Sequence, residues 1–137
     1  MFRRSALALI LVCMVGVVPA ARAHHSFAMF DPAKVVTLQG RVKEFRWVNP
    51  HVSLFVDVAG PPAQAGVWSV ELTSPGNLTR LGWNRMLLKP GDRVAVDINP
   101  LRDGQHGGGF RKVTLLDSGK VYEAGLITIE KAAAGGH

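Results

Sequence analysis

Cysteine is nearly absent from these 137 residues, and the single one, Cys13, lies in an apolar N-terminal stretch. One thiol makes no internal disulfide and no cysteine-rich metal site, so the fold must rest on apolar burial. Long hydrophobic runs are equally scarce. The longest, Ala6 to Val18, holds 13 residues, short of the roughly 20 that a helix needs to cross a bilayer. There is no internal repeat, no glycine-rich phosphate loop leading into a helix and no nucleophile-elbow motif around Ser26, Ser53 or Ser74. Those absences argue against nucleotide-binding and serine-hydrolase classes. Glu71 and Asp97 read as isolated carboxylates without the spacing of an acid/base pair. The expectation is a protein that is not an enzyme.

The N-terminal stretch reads as an export signal. Arg3 and Arg4 open it with positive charge, Ala6 to Val18 form its apolar centre, Pro19 breaks that centre, and Ala21-Arg22-Ala23 supplies a small–x–small cleavage pattern. The expectation is a cleavable secretory signal over residues 1–23, with no permanent membrane anchor. Its removal leaves 114 residues beginning at His24-His25, enough for one domain. It also removes Cys13 and three arginines, so Lys+Arg falls from 16 to 13 against 10 acidic residues and the net charge from +6 to +3. So small a surplus takes away the main argument for a nucleic-acid partner.

Beyond a leader over residues 24–34 the pattern alternates with strand period. Val36, Leu38, Gly40 and Val42 share one parity, and Phe45 and Trp47 take the other, which predicts a long first strand bent by a bulge. Val52, Leu54, Val56 and Val58 line one face of a second strand, with His51, Ser53, Phe55 and Asp57 on the other; Trp68, Val70 and Leu72 mark a third. Ser74-Pro75 opens one short helix that Gly82 closes. Val94, Val96 and Ile98 predict a fourth strand, Phe110 to Leu116 a fifth, and Val121 to Ile129 a sixth. Three strands, a helix and further strands follow the order of an OB-fold barrel. The predicted fold is therefore all-β with one short helix, a small OB-fold-like barrel over 24–131, followed by a mobile tail over 132–137. Trp47, Trp68 and Trp83 are expected in or against its core.

Several motifs, in order, resemble a family of small secreted bacterial proteins of unknown function. They are His24-His25-Ser26-Phe27, Phe30-Asp31-Pro32, Thr37-Leu38-Gln39-Gly40-Arg41-Val42, Trp47-Val48-Asn49-Pro50-His51, Ser74-Pro75-Gly76-Asn77-Leu78, Gly82-Trp83 and Leu88-Lys89-Pro90-Gly91-Asp92. The resemblance implies periplasmic localisation and a compact β domain, and it implies no activity.

The chemistry with the clearest physical reason is at the N-terminus that cleavage would create. An α-amine and Nδ1 of a first-position histidine chelate one ion in a single ring, and a second histidine adds a third nitrogen. Such donors favour Cu(II) among common divalent ions. His24 and His25 are thus candidate copper ligands, with His51 as a third. Trp47, Asn49, His51 and His106 form the expected ligand face, since the connections between strands one and two and between strands four and five flank the usual OB ligand surface. For His51 a structural reading stands beside ligation: its imidazole hydrogen-bonds across the Asn49-Pro50 turn. His106, next to Gly107-Gly108-Gly109, reads as a solvated loop residue outside the family pattern. Distance also constrains the copper reading. Val35 to Trp47 spans up to about 40 Å and the leader reaches roughly 36 Å, so His24 meets His51 only if the leader runs back along the first strand, a course that packing of Phe27, Met29 and Phe30 would support. The alternative function is a metal-independent adaptor that binds a protein or envelope component through the loop face.

Overall fold

The first strand has to serve two partners, and its sequence supplies the means to bend. In the computed structural model, which describes residues 27–135, β1 (Val36–Arg46) pairs antiparallel with β4 (Arg93–Pro100) through Val36–Arg41 and with β2 (Ser53–Val58) through Gly40–Arg46. The register with β2 shifts between Val42 and Glu44, the point where the apolar parity slips, so Lys43 is the extra residue of a bulge. Gly40 lets the two backbones close up. A Cβ there would sit 2.1 Å from the Asp57 carbonyl oxygen.

β3 (Gly66–Glu71) pairs antiparallel with β2, and β5 (Gly107–Leu115) pairs antiparallel with β4. A parallel pairing of Ser69–Glu71 with Gly107–Gly109 joins β3 to β5 and closes a five-strand barrel. The circuit β1–β2–β3–β5–β4 and the helix α1 (Pro75–Arg80) between β3 and β4 are the expected OB-like arrangement. Ser74 caps α1 by accepting a hydrogen bond from the Asn77 amide at 3.2 Å, and Gly82 leaves it with φ +83°.

Two expectations need correction. The fifth strand begins at Gly107 rather than Phe110. The sixth, β6 (Val121–Glu123), is three residues long, and the chain then turns into a second helix, α2 (Leu126–Ala134), which takes in residues assigned above to strand and tail. Leu126 is fully buried and Ile129 packs against the core, a spacing of three that suits a helix and not a strand.

The core is the set of alternating positions read from the sequence: Val52, Leu54 and Val56 on β2, and Val94, Val96 and Ile98 on β4, are fully buried. Trp83 is buried among Phe110, Tyr122 and Phe45, with edge-on ring contacts to the first two at 5.5 and 5.8 Å. Trp68 is also buried, and Trp47 is half-buried against Phe45. On the outer face, Arg46 lies over the Phe55 ring at 4.7 Å. The Glu44 carboxylate, by accepting its hydrogen bonds and by its charge, holds that guanidinium pKa above the ordinary value. No helix among the described residues is long and apolar enough to cross a membrane.

Candidate functional site

Strand alternation gives His51 its first neighbour. Ser53 is paired with Glu71, so His51, two residues earlier on the same face, is diagonally across from Glu71. Val52 anchors this end of the strand: its amide donates to the Thr73 carbonyl, and its own carbonyl accepts from Leu72. The Glu71 carboxylate takes up His51 Nδ1 in a hydrogen bond. An ionised carboxylate only accepts, so Nδ1 carries a proton in this contact.

Nε2 faces the second carboxylate, Glu130 on α2, at 3.7 Å from its Oε1. That separation is too long for a hydrogen bond. Glu130 is itself held in place. The fully buried Thr73 hydroxyl donates to Glu130 Oε1 at 2.6 Å, and Asn77 Nδ2 on α1 donates to the Thr73 oxygen at 2.9 Å. One polar chain therefore joins α1, the end of β3, the entry to β2 and α2. Its three ionisable side chains, His51, Glu71 and Glu130, are 13, 30 and 20% exposed. They are largely screened from bulk water.

The leader arrives at the same end of the barrel. Phe30 is buried and bridges to Leu101, the Asp31 amide donates to the Pro100 carbonyl, and the Asn99 side chain donates to the Lys34 carbonyl at 2.9 Å. Arg102 secures the preceding residues through Nε to the Ala28 carbonyl and through its amide to the Met29 carbonyl, both at 2.9 Å. The glycines 107–109 make this approach possible. A Cβ on Gly109 would press on the Phe30 ring at 3.3 Å, and one on Gly108 would lie 2.5 Å from the Asn99 carbonyl oxygen. With no side chains there, Met29 and Phe30 line a groove of about 510 Å³ together with Ser69, Glu71 and His106.

His51 is thus placed in a polar cluster, and His106 shares the Glu71 groove rather than standing in a solvated loop. The His106 ring stacks on Trp68 at 4.5 Å and 8°, and its Nε2 is 3.1 Å from the Ala63 carbonyl oxygen. Asn49 is exposed and precedes a cis peptide bond to Pro50. Trp47 is turned to Phe45 at 5.7 Å. His24 and His25 lie outside the described residues, as does His137. The sequence reading missed Glu71 and Glu130. The alternation of β2 and β3 was the available signal for Glu71, since a hairpin register that buries both apolar stripes sets Glu71 on the His51 face.

Among the described residues no group of three or more His, Cys, Asp or Glu side chains is arranged to hold a metal ion. The ring of His51 accounts for this: Glu71 and Glu130 meet opposite nitrogens, so the two carboxylates do not converge on one point. What the barrel offers is an imidazole oriented by a carboxylate, with a second carboxylate facing its other nitrogen.

A family model described as a family of unknown function (DUF6152) matches residues 11–110, and the chain belongs to that family. The match takes in His24, His25, His51, Glu71 and His106; Glu130 and α2 lie beyond it. No curated protein and no solved structure matches the chain.

Proposed function

We propose that this member of a family of unknown function is an exported periplasmic copper-binding protein, in which signal cleavage after Ala23 frees the amine of His24 to bind Cu(II) together with the imidazoles of His24, His25 and His51. The observation that carries the reading is the course of the leader. Phe27–Phe30 is fastened across the glycine-lined start of β5, and Met29 and Phe30 share a groove with Glu71, the partner of His51. His24 is three positions before Phe27, a reach of roughly 10 Å. The long route around β1 that the sequence suggested is therefore not needed. The described part of the leader lies along the groove that Glu71 lines.

The chemistry is consistent with the donors. Four nitrogens suit the tetragonal preference of Cu(II), and an α-amine, with an ordinary pKa of about 8, yields its proton at modest cost at neutral pH.

The test is a Cu(II) titration of the protein beginning at His24, of the same protein with one glycine added before His24, and of His51→Ala. The added residue converts the amine to an amide and should lower affinity and change the copper EPR spectrum; His51→Ala should do so by removal of a nitrogen. Equal affinities and identical spectra across the three proteins would overturn the reading. Intact mass of the protein recovered from the periplasm checks the cleavage position.

A further inference from the structure

Arg111 owes its direction to an irregularity in β5. Lys112 pairs with Asp97 of β4 and Phe110 pairs with Ile98, so Arg111 is an extra residue with no partner across that ladder. Such a bulge re-aims side chains. Phe110 and Val113 are fully buried, and Arg111 and Lys112 between them are both exposed on the outer face. The Arg111 carbonyl accepts from the Ala124 amide at 3.1 Å, which ties the bulge to the turn before α2. Beside it Asp97, Lys112 and Glu123 are register partners in a row across β4, β5 and β6. The Lys112 ammonium is 3.4 Å from one Asp97 oxygen, and the other accepts from the Thr37 hydroxyl at 2.7 Å. Lys112 is thus placed between two carboxylates. The Arg111 guanidinium has no hydrogen bond or ion pair among the described residues.

These strands and α2 enclose a groove of about 480 Å³, within the range of small-molecule sites. Its apolar lining comes from three separate segments: Val35 ahead of β1, Leu81 after α1, and Ile127 and Ile129 on α2. Val35 and Leu81 are more than half exposed. Large apolar side chains that converge from distant parts of the chain on one concave surface mark a binding surface, unlike those scattered singly. We propose that this groove binds a small amphipathic carboxylate, a medium-chain fatty acid, with its head group on Arg111 and its alkyl chain against Val35, Leu81 and Ile127. A guanidinium meets a carboxylate through two parallel hydrogen bonds, and each methylene covered by the apolar wall adds affinity. Asp97 and Glu123 offset the two cations, so the attraction is confined to the Arg111 contact. That favours a single negative head group over a polyanion. Arg111, Ile127 and Ile129 lie beyond the family-matched residues 11–110. The site shares no residue with the proposed copper ligands and does not depend on them.

The experiment titrates the protein beginning at His24 with three probes, followed by calorimetry and by amide chemical shifts in NMR. Decanoate carries both features, butyrate keeps the head group on a short chain, and decyltrimethylammonium keeps the chain under a positive head. The same titrations are run on Arg111→Gln, Arg111→Lys and Leu81→Ser. Both positions are exposed, and circular dichroism checks the fold of each variant. Decanoate should bind and shift the amides of Arg111, Lys112 and residues 125–129. Arg111→Gln should weaken it about tenfold or more, the scale of a hydrogen-bonded charge pair, and Arg111→Lys by less. Leu81→Ser should weaken decanoate by about threefold or more and leave butyrate unchanged. Four results would overturn the proposal. They are no binding of decanoate below its micelle concentration, unchanged affinity in Arg111→Gln, equal binding of decyltrimethylammonium, and shifts centred on the Met29–His106 groove instead.

Discussion

The Nδ1 nitrogen of His51 is bonded to the carboxylate of Glu71, a residue 20 positions later that strand register brings diagonally across from it. The pair fixes the ring before any ligand arrives. Losing Glu71 would cost stability, because the His51 side chain is only 13% exposed and water replaces the lost acceptor poorly there.

The first prediction concerns the tautomer. Nitrogen-15 NMR of the metal-free protein at neutral pH should show His51 with a pyrrole-type Nδ1 and a pyridine-type Nε2, and Glu71→Ala should abolish that preference. Because Glu71 is partly exposed, the stability lost should be near the low end for a hydrogen-bond partner, about 1 kcal/mol by urea denaturation. A wild-type His51 protonated on Nε2 instead would contradict the assignment of Glu71 as orienter.

Gly40→Ala tests the barrel's bend. The new Cβ would lie 2.1 Å from the Asp57 carbonyl oxygen and 2.9 Å from its carbon, and both are backbone atoms of a paired strand that cannot rotate away. The expected loss is about 2–3 kcal/mol, the range for overpacking a close contact, seen as a lower urea midpoint. Gly60→Ala is the internal control. Nothing lies within 4 Å of its Cβ position, so it should be neutral or slightly stabilising.

How much of this was legible in the sequence follows from the range over which each signal acts. The inward stripe of β2 and the parity slip after Val42 are local, and the bulge falls where the slip does. The capped helix after Ser74 is also local. Gly107–Gly109 misled the reading because glycine most often marks a loop; here the three form the start of β5, and their lack of side chains serves the close approach of β4 and the leader. The run Leu126 to Ile129 is too short and too β-branched for its period to decide between strand and helix. Glu71 and Glu130 join His51 only through hairpin register and helix docking, which no single stretch of sequence encodes.

The stack of His106 on Trp68 gives a prediction with an optical readout. Parallel rings at 4.5 Å, with Nε2 held near the Ala63 carbonyl, fix one face of the indole. His106→Ala should alter the tryptophan fluorescence of the folded protein and cost about 1 kcal/mol, the scale of an aromatic pair beyond its buried area. Copper affinity should stay as in the wild type, because His106 lines the Glu71 groove without belonging to the proposed ligands. A large copper effect in this variant would mean that the ion sits in the groove that His106 shares with Glu71.

The strongest coupling between fold and proposed function runs through Phe30, which touches no proposed ligand. Its ring is 2% exposed and lies on Gly109, and its backbone bridges to Leu101. Phe30→Ala should cost about 3 kcal/mol, the lower end for truncating a buried phenylalanine, since the leader is at the barrel's edge and can partly collapse onto the space. Copper affinity should fall as well, although every donor remains. Undocking the leader turns a short-range encounter between the N-terminus and His51 into the closure of a longer flexible loop, and the entropy of that closure is charged against binding. Adding Phe30→Leu distinguishes this from general damage: a large apolar side chain should restore docking and most of the affinity together. If Phe30→Ala lowered stability as expected and left copper affinity unchanged, the N-terminal amine and His24 would be binding copper on their own, and the barrel would contribute no ligand.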